Sequence, residues 1–317
     1  MTLPYSENKT SFTEFMLLGF DNIKQGKGFL FVIFLMLYTI CFLGNSFIIT
    51  VVLLNQTLQT PMYFFLGNLS FLDICYISVT VPKILTDLWT ESPSISFLGC
   101  EAQVYFLVTL VGTEGFLLAS MALDRYFAIC RPLTYTNFMN KGICLKMALM
   151  SWTCGFLNAS VHTALTFRLS FCQSNRINHF FCDIPPLLSI SCSDTSVNEI
   201  ALLTVGVFVG LSPFFFTLVS YVFILHAILS NQQKRQSHKA ISTCASHLTV
   251  VILFYGSSIF TYVRPTSSYS LERDQLVGAL YSILTPTLNP LIYSLRNKEV
   301  KLAMRKLIST RSFPCGI

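Results

Sequence analysis

Apolar residues in this chain come in long blocks rather than at a helical or strand period. Seven blocks are long enough to cross about 30 Å of hydrocarbon, which takes roughly 20 residues of helix. Residues 28–54 hold no charge, 62–81 carry only Asp73 and 102–123 carry only Glu114. Residues 147–167 hold His162, 200–229 hold His226 and 241–263 hold His247, with no full charge in any of them, and 276–295 are also uncharged. A segment at that depth must satisfy its own backbone, so each block predicts a helix. The expected fold is an all-α membrane protein, a seven-transmembrane helix bundle. It divides into an extracellular N-terminal tail at 1–27, a seven-span domain at 28–295 and a cytoplasmic segment at 296–317.

Composition excludes the soluble alternative. Hydrophobic residues make up 53% of the 317 positions and charged residues 11%, about half the usual charged share. Charge also sets the orientation. With seven spans, the connections near 125–146 and 230–240 and the tail after 295 share one side, which carries thirteen basic and two acidic residues, a net +11. The opposite side carries eight basic and eleven acidic residues, a net −3. The positive side is expected in the cytoplasm, which puts the N-terminus outside. The basic excess then faces membrane lipid and a cytoplasmic partner, not nucleic acid.

Residues 1–27 do not read as a cleavable signal, and the first span is expected to serve as an uncleaved anchor. Asn8-Lys9-Thr10 is a glycosylation sequon on the outer tail, whereas Asn55-Gln56-Thr57 falls on the inner face. Asn68-Leu69-Ser70 and Asn158-Ala159-Ser160 fall inside spans. Of eleven cysteines, Cys100, Cys172, Cys182 and Cys192 lie outside, where disulfides persist. Four cysteines allow three pairings, and spacing does not choose among them.

Charges inside the spans are the first candidate chemistry. Asp73 and Glu114 sit mid-span, and intramembrane acids are functional candidates by default. Together they can share a proton or hold a small cation such as sodium; the plain alternative is hydrogen bonding between helices. No other metal site is expected. Asp124–Arg125 closes the third span with opposite charges at a membrane face, a pairing suited to a switch. Pro286 and Pro290 interrupt the last span within Thr285-Pro-Thr-Leu-Asn289-Pro-Leu-Ile-Tyr293, and each proline removes a helical hydrogen bond. That makes either a hinge or a fixed kink.

After Arg296, the residues Val300, Met304, Leu307 and Ile308 share one helical face opposite a row of bases, which predicts a short amphipathic helix on the inner leaflet. Lys234-Arg235 through Lys239 read as a solvated inner loop or a partner surface. Gly206-Val-Phe-Val-Gly210 reads as a close helix-packing face. His179 near Cys182 and Asp183 reads as a surface histidine beside a disulfide rather than a metal site. No nucleophile elbow, paired-histidine zinc box or phosphate loop is present, so the chain is not read as an enzyme and needs no cofactor.

Taken in order, the motifs resemble the olfactory receptors, tetrapod-type, of the rhodopsin-like G-protein-coupled receptor family. The resemblance rests on Leu18-Gly-Phe20, Gly44-Asn45, Pro61-Met-Tyr-Phe-Phe-Leu66 and Ala122-Leu-Asp124-Arg125-Tyr126. It continues through Arg131-Pro-Leu-Thr-Tyr135, Ser242-Thr-Cys-Ala-Ser-His247, Phe254-Tyr-Gly256 and Pro286-Thr-Leu-Asn-Pro-Leu-Ile-Tyr-Ser-Leu-Arg-Asn297. It implies the disulfides Cys100–Cys182 and Cys172–Cys192, and an interior polar cluster of Asn45, Asp73, Glu114 and Asn289. Asp124, Arg125, Tyr126, Tyr221, Asn289, Pro290 and Tyr293 would form the activation switch and the G-protein coupling site.

The resemblance also implies an odorant pocket between spans three, five and six. The matching residues are Leu107, Val108, Val111, Gly112, Val205, Val209, Ser258 and Tyr262, with Ser282 from span seven. None is charged, so the implied ligand is a mostly apolar volatile with one hydrogen-bonding group. The implied partner is a stimulatory olfactory-type G protein that raises cyclic AMP. Leu123 departs from the family, which usually has tyrosine before the Asp-Arg-Tyr triplet. A transporter or channel is the competing reading, but it predicts inverted repeats and polar linings that are not visible. A retinal pigment would need a lysine in span seven, which has none.

Overall fold

The computed structural model describes residues 13–19, 26–90, 93–172, 174–230, 234–262, 278, 280–296, 300 and 302. Within them are seven long helices: α1 Lys27–Leu54, α2 Pro61–Thr90, α3 Phe97–Cys130, α4 Lys141–Thr166, α5 Ser196–Ser230, α6 Lys234–Tyr262 and α7. The last consists of a π-turn, Leu280–Leu284, continuing as Thr285–Arg296. Among the described residues, α1, α2, α3 and α5 are each long and apolar enough to cross a membrane by length and composition. The side chains of 234–243, 259–262, 280–281 and 294–296 lie outside the described set.

Local chemistry sets the helix ends. Gly26, with φ of 108°, turns the chain into α1 through a conformation that L side chains avoid. Pro61 opens α2, where its missing N–H costs nothing. The Ser96 hydroxyl accepts from Gly99 N–H at 3.1 Å to cap α3, and Asn140 Oδ1 accepts from Ile143 N–H at 3.0 Å to cap α4. Asn55, the asparagine of the second sequon, is spent on a turn, its Oδ1 accepting from Thr57 N–H and from the Thr57 hydroxyl at 3.1 and 2.8 Å.

The helices run past the predicted blocks for physical reasons. Helix α2 extends beyond Val81 to Thr90 because Lys83 and Asp87, four residues apart, pair with each other on one face. Lys234–Lys239, predicted as a loop, are helical and belong to the start of α6. The amphipathic helix predicted after Arg296 lies outside the described residues except for Val300, which is buried, and Leu302, which is exposed.

Helix α3 is the axis of the bundle, with eighteen of its 34 residues buried. It meets α4 closely because Gly155 has no side chain: a Cβ there would run into the Thr113 hydroxyl and the Thr109 carbonyl. The N-terminal face carries a three-stranded sheet in the order β2 (Ser94–Ser96), β1 (Glu14–Leu17), β3 (Arg176–Ile177). Strand β1 pairs antiparallel with β2, Glu14 opposite Ser96, and parallel with β3, Met16 opposite Arg176. Phe15 is fully buried between Phe97 and Phe171, at ring centroid distances of 5.8 and 5.4 Å. Disulfides join Cys100 to Cys182 and Cys172 to Cys192, the two pairings that the resemblance implies.

Candidate functional site

Below the sheet lies a cavity of about 100 Å³ walled by α3, α4, α5 and α6. Its roof is Ile184, in the short helix Ile184–Ser189, whose N-cap Asp183 accepts from Ile184 N–H at 2.8 Å. The roof is tied down next door: Cys182 bonds to α3 through Cys100, and its N–H donates to Gln103 Oε1 at 2.8 Å. The same Gln103 side chain donates to the Val79 carbonyl of α2 at 2.9 Å, so one residue holds roof, α3 and α2 together.

Of the expected pocket residues, Val108, Val111, Gly112, Val209 and Ser258 line this cavity. Leu107 instead packs into the main core, and the Val205 side chain is not part of the wall. The Ser282 hydroxyl donates to the Gly278 carbonyl at 2.6 Å, within its own helix. The Tyr262 side chain lies outside the described residues. Gly206 and Gly210, expected to pack against another helix, instead form part of the cavity wall, and nothing lies within 4 Å of where their Cβ atoms would sit. Among the wall residues that sequence reasoning missed are two polar side chains, Asn158 and His162 of α4. Both were visible as polar residues in an apolar span, without a pattern to give the face.

A second group of residues occupies the middle of the bundle. Asn289 Nδ2 of α7 donates to both carboxylate oxygens of Asp73 at 3.0 and 3.1 Å. Asn45 makes no bond to Asp73; its Nδ2 donates to the Cys41 and Pro286 carbonyls at 3.1 and 3.3 Å. Glu114 is buried with Oε1 unpartnered, as are Asn45 Oδ1, Asn289 Oδ1 and the Tyr293 hydroxyl.

The third group closes the face opposite the sheet. Asp124 Oδ2 accepts from Arg125 Nη2 and Nε at 2.5 and 3.0 Å, and its Oδ1 accepts from the Tyr135 hydroxyl at 2.8 Å. Tyr135 stands in the connection between α3 and α4, where burial and then the Asp124 carboxylate raise its phenol above the ordinary value and keep it a donor. Tyr221 of α5 is hydrogen-bonded to Nδ1 of His247 of α6 at 2.7 Å. Tyr126 packs against Phe223 at 6.0 Å between ring centroids. Leu123 faces a crevice of about 390 Å³ between α3, α4 and α5. Pro290 lies inside α7, and Asn8 is outside the described residues. Tyr135 and His247 were within motifs read from the sequence, but nothing in the spacing named their partners.

The family model for olfactory receptors matches residues 34–311. Human olfactory receptor 9G4 is 52% identical over 303 residues, covering 96% of this chain and 93% of that protein. Mouse olfactory receptor 5AP2 is 49% identical over 303 residues, 96% of each chain. Human olfactory receptor 12D1 is 48% identical over 308 residues, covering 97% and 96%.

Proposed function

The chain belongs to the olfactory receptor family, multi-pass plasma-membrane receptors that couple an odorant to a G protein and are not enzymes, and from that premise we propose a specific reading. The protein binds a small, mostly apolar volatile in the cavity below Ile184 and activates a stimulatory olfactory-type G protein, raising cyclic AMP. The observation that carries this is the cavity itself: a small, mostly aliphatic space with no full charge among the described residues of its wall, under a roof bound by a disulfide to α3. Such a space favours an apolar molecule over a salt-bridged amine or acid.

The remaining groups take roles in the same reading. The N-terminus and sheet face outward, with Asn8 as a glycan acceptor, and the face with a net charge of +11 lies in the cytoplasm. Asp124 and Tyr135 hold Arg125 in place; release of Arg125, with Tyr126, Tyr221 and Tyr293 moving about Asn289 and Pro290, admits the G protein. Asp73 and Glu114, with the unpartnered oxygens of Asn45 and Asn289, are a set of hard oxygen donors that suits sodium. In cells expressing the full chain, a panel of odorants read by cyclic AMP tests the reading. Responses to apolar volatiles are expected; responses confined to amines or acids would overturn the ligand class.

A further inference from the structure

We infer that Asn158 and His162 of α4 form the polar anchor of the cavity and select ligands that carry a hydroxyl group, such as an alcohol or a phenol. The inference rests on the receptor reading above and adds the ligand chemistry. Four residues apart on one helix, the two side chains share a face, and both line the cavity. Asn158 is 9% exposed and His162 4%. Asn158 Oδ1 has no hydrogen-bond partner, and neither side chain makes a hydrogen bond among the described residues. Buried amides and imidazoles are ordinarily paired, so an unpaired set on a cavity wall is a place where a ligand completes the bonding.

The local packing puts them there. Gly155 lies against α3, and Asn158 and His162, three and seven residues further on, fall on the same helical face. Gly112 of α3 faces the same stretch of α4: a Cβ there would lie 3.3 Å from Gly155 Cα and in ordinary contact, 3.6 Å, with Asn158 Nδ2. Two hydroxyls share the wall: that of Tyr255 is already spent, donating to the Gly115 carbonyl at 3.2 Å, and that of Ser258 can both donate and accept, so it does not separate an alcohol from an ether. Val108, Val111 and Val209 supply apolar wall around the pair.

The donor and acceptor inventory then sets the class. A ligand hydroxyl donates to Asn158 Oδ1 and accepts from the protonated ring nitrogen of His162. An ether or ketone only accepts, which leaves Oδ1 unpaired in a desolvated site. A hydrocarbon leaves both groups unpaired. Leaving a buried polar group unpaired weakens binding by about tenfold to a hundredfold.

The test uses the full chain in cells, with surface level measured by antibody and signalling by cyclic AMP. The probes are triplets that share a skeleton: octanol, methyl octyl ether and octane, then cresol, methylanisole and xylene. In at least one triplet, the alcohol or phenol is expected to act at a concentration about tenfold or more below its ether, with the hydrocarbon weakest. Asn158→Leu, at wild-type surface level, is expected to bring alcohol and ether within about threefold of each other. Where that variant fails to reach the surface, Asn158→Ala and His162→Phe make the same comparison. Equal potency of alcohol and ether, or a preference that survives these variants, overturns the inference and leaves the receptor reading standing. Silence towards every probe and towards a broad odorant panel, with the receptor at the surface, overturns the receptor reading and this inference with it.

Discussion

Asn45 of α1 donates through Nδ2 to the Pro286 carbonyl of α7 at 3.3 Å, and that carbonyl is one that α7 cannot satisfy through its own helical ladder. In a helix it would take the N–H of the residue four positions on, which is Pro290 and has none. The Cys41 thiol donates to the same carbonyl at 3.3 Å. Gly44, beside Asn45, brings the helices together: a Cβ there would lie 3.2 Å from Pro290 Cβ and Cγ. The Gly44-Asn45 pair and the Asn289-Pro290 pair are thus two halves of one joint.

That joint gives the first prediction. Asn45→Leu removes one of the two donors to the Pro286 carbonyl and should destabilise the bundle by about 1–3 kcal/mol. Thermal unfolding of detergent-solubilised protein checks it, with a lowered midpoint expected. An unchanged midpoint would mean that Cys41 alone satisfies the carbonyl.

Gly155→Ala should be worse. Its Cβ meets the Thr113 hydroxyl and the Thr109 backbone carbonyl of α3, and the backbone atom cannot rotate away. Overpacking of this kind costs about 1–3 kcal/mol or more. Surface delivery should fall well below wild type, whereas Gly206→Ala, at a position with open space, should leave it unchanged. Equal delivery of the two variants would refute the packing argument.

The two disulfides should differ in weight. Loop closure entropy makes Cys100–Cys182, across 82 residues, worth about 4.5 kcal/mol and Cys172–Cys192, across 20, about 3 kcal/mol. The first also anchors the roof beside Ile184. Cys182→Ser should therefore lower surface level more than Cys192→Ser, measured by cell-surface staining, and the reverse order would count against the assignment.

The bundle itself was legible in the sequence because membrane depth imposes one rule, unbroken apolar length, on each of the seven blocks. Helix ends were less so. The second block ends at Val81, yet Lys83–Asp87 is a pair within the helix, and Lys234–Lys239 looked like a loop and is helix. A charge count does not tell whether a charge finds a partner one turn away. The site was half legible. Val108, Gly112 and Ser258 are positions that the resemblance implies, but the facing of Asn158 and His162 depends on which side of α4 packs on α3, which Gly155 shows only in the folded chain. Gly206 and Gly210 misled for the same reason: small residues signal close approach, and whether to a helix or to a cavity is decided by tertiary structure.

The last prediction concerns the ionic lock. Asp124 spends Oδ2 on Arg125 and Oδ1 on Tyr135, so the carboxylate is held from two directions. Tyr135→Phe removes the second bond and leaves Asp124 free to turn, which loosens Arg125. A hydrogen bond to a charged group contributes about 1.5–3 kcal/mol, enough to shift a two-state equilibrium by tenfold or more. Basal cyclic AMP should therefore rise in Tyr135→Phe without added odorant. Arg125→Ala should reach the surface but fail to signal, because it removes the residue proposed to meet the G protein. The double variant should be silent as well, since a loosened lock has no effect once Arg125 is absent. Signalling by Arg125→Ala, or unchanged basal activity in Tyr135→Phe at matched surface level, would show that Asp124 holds α3 and its loop together without controlling Arg125.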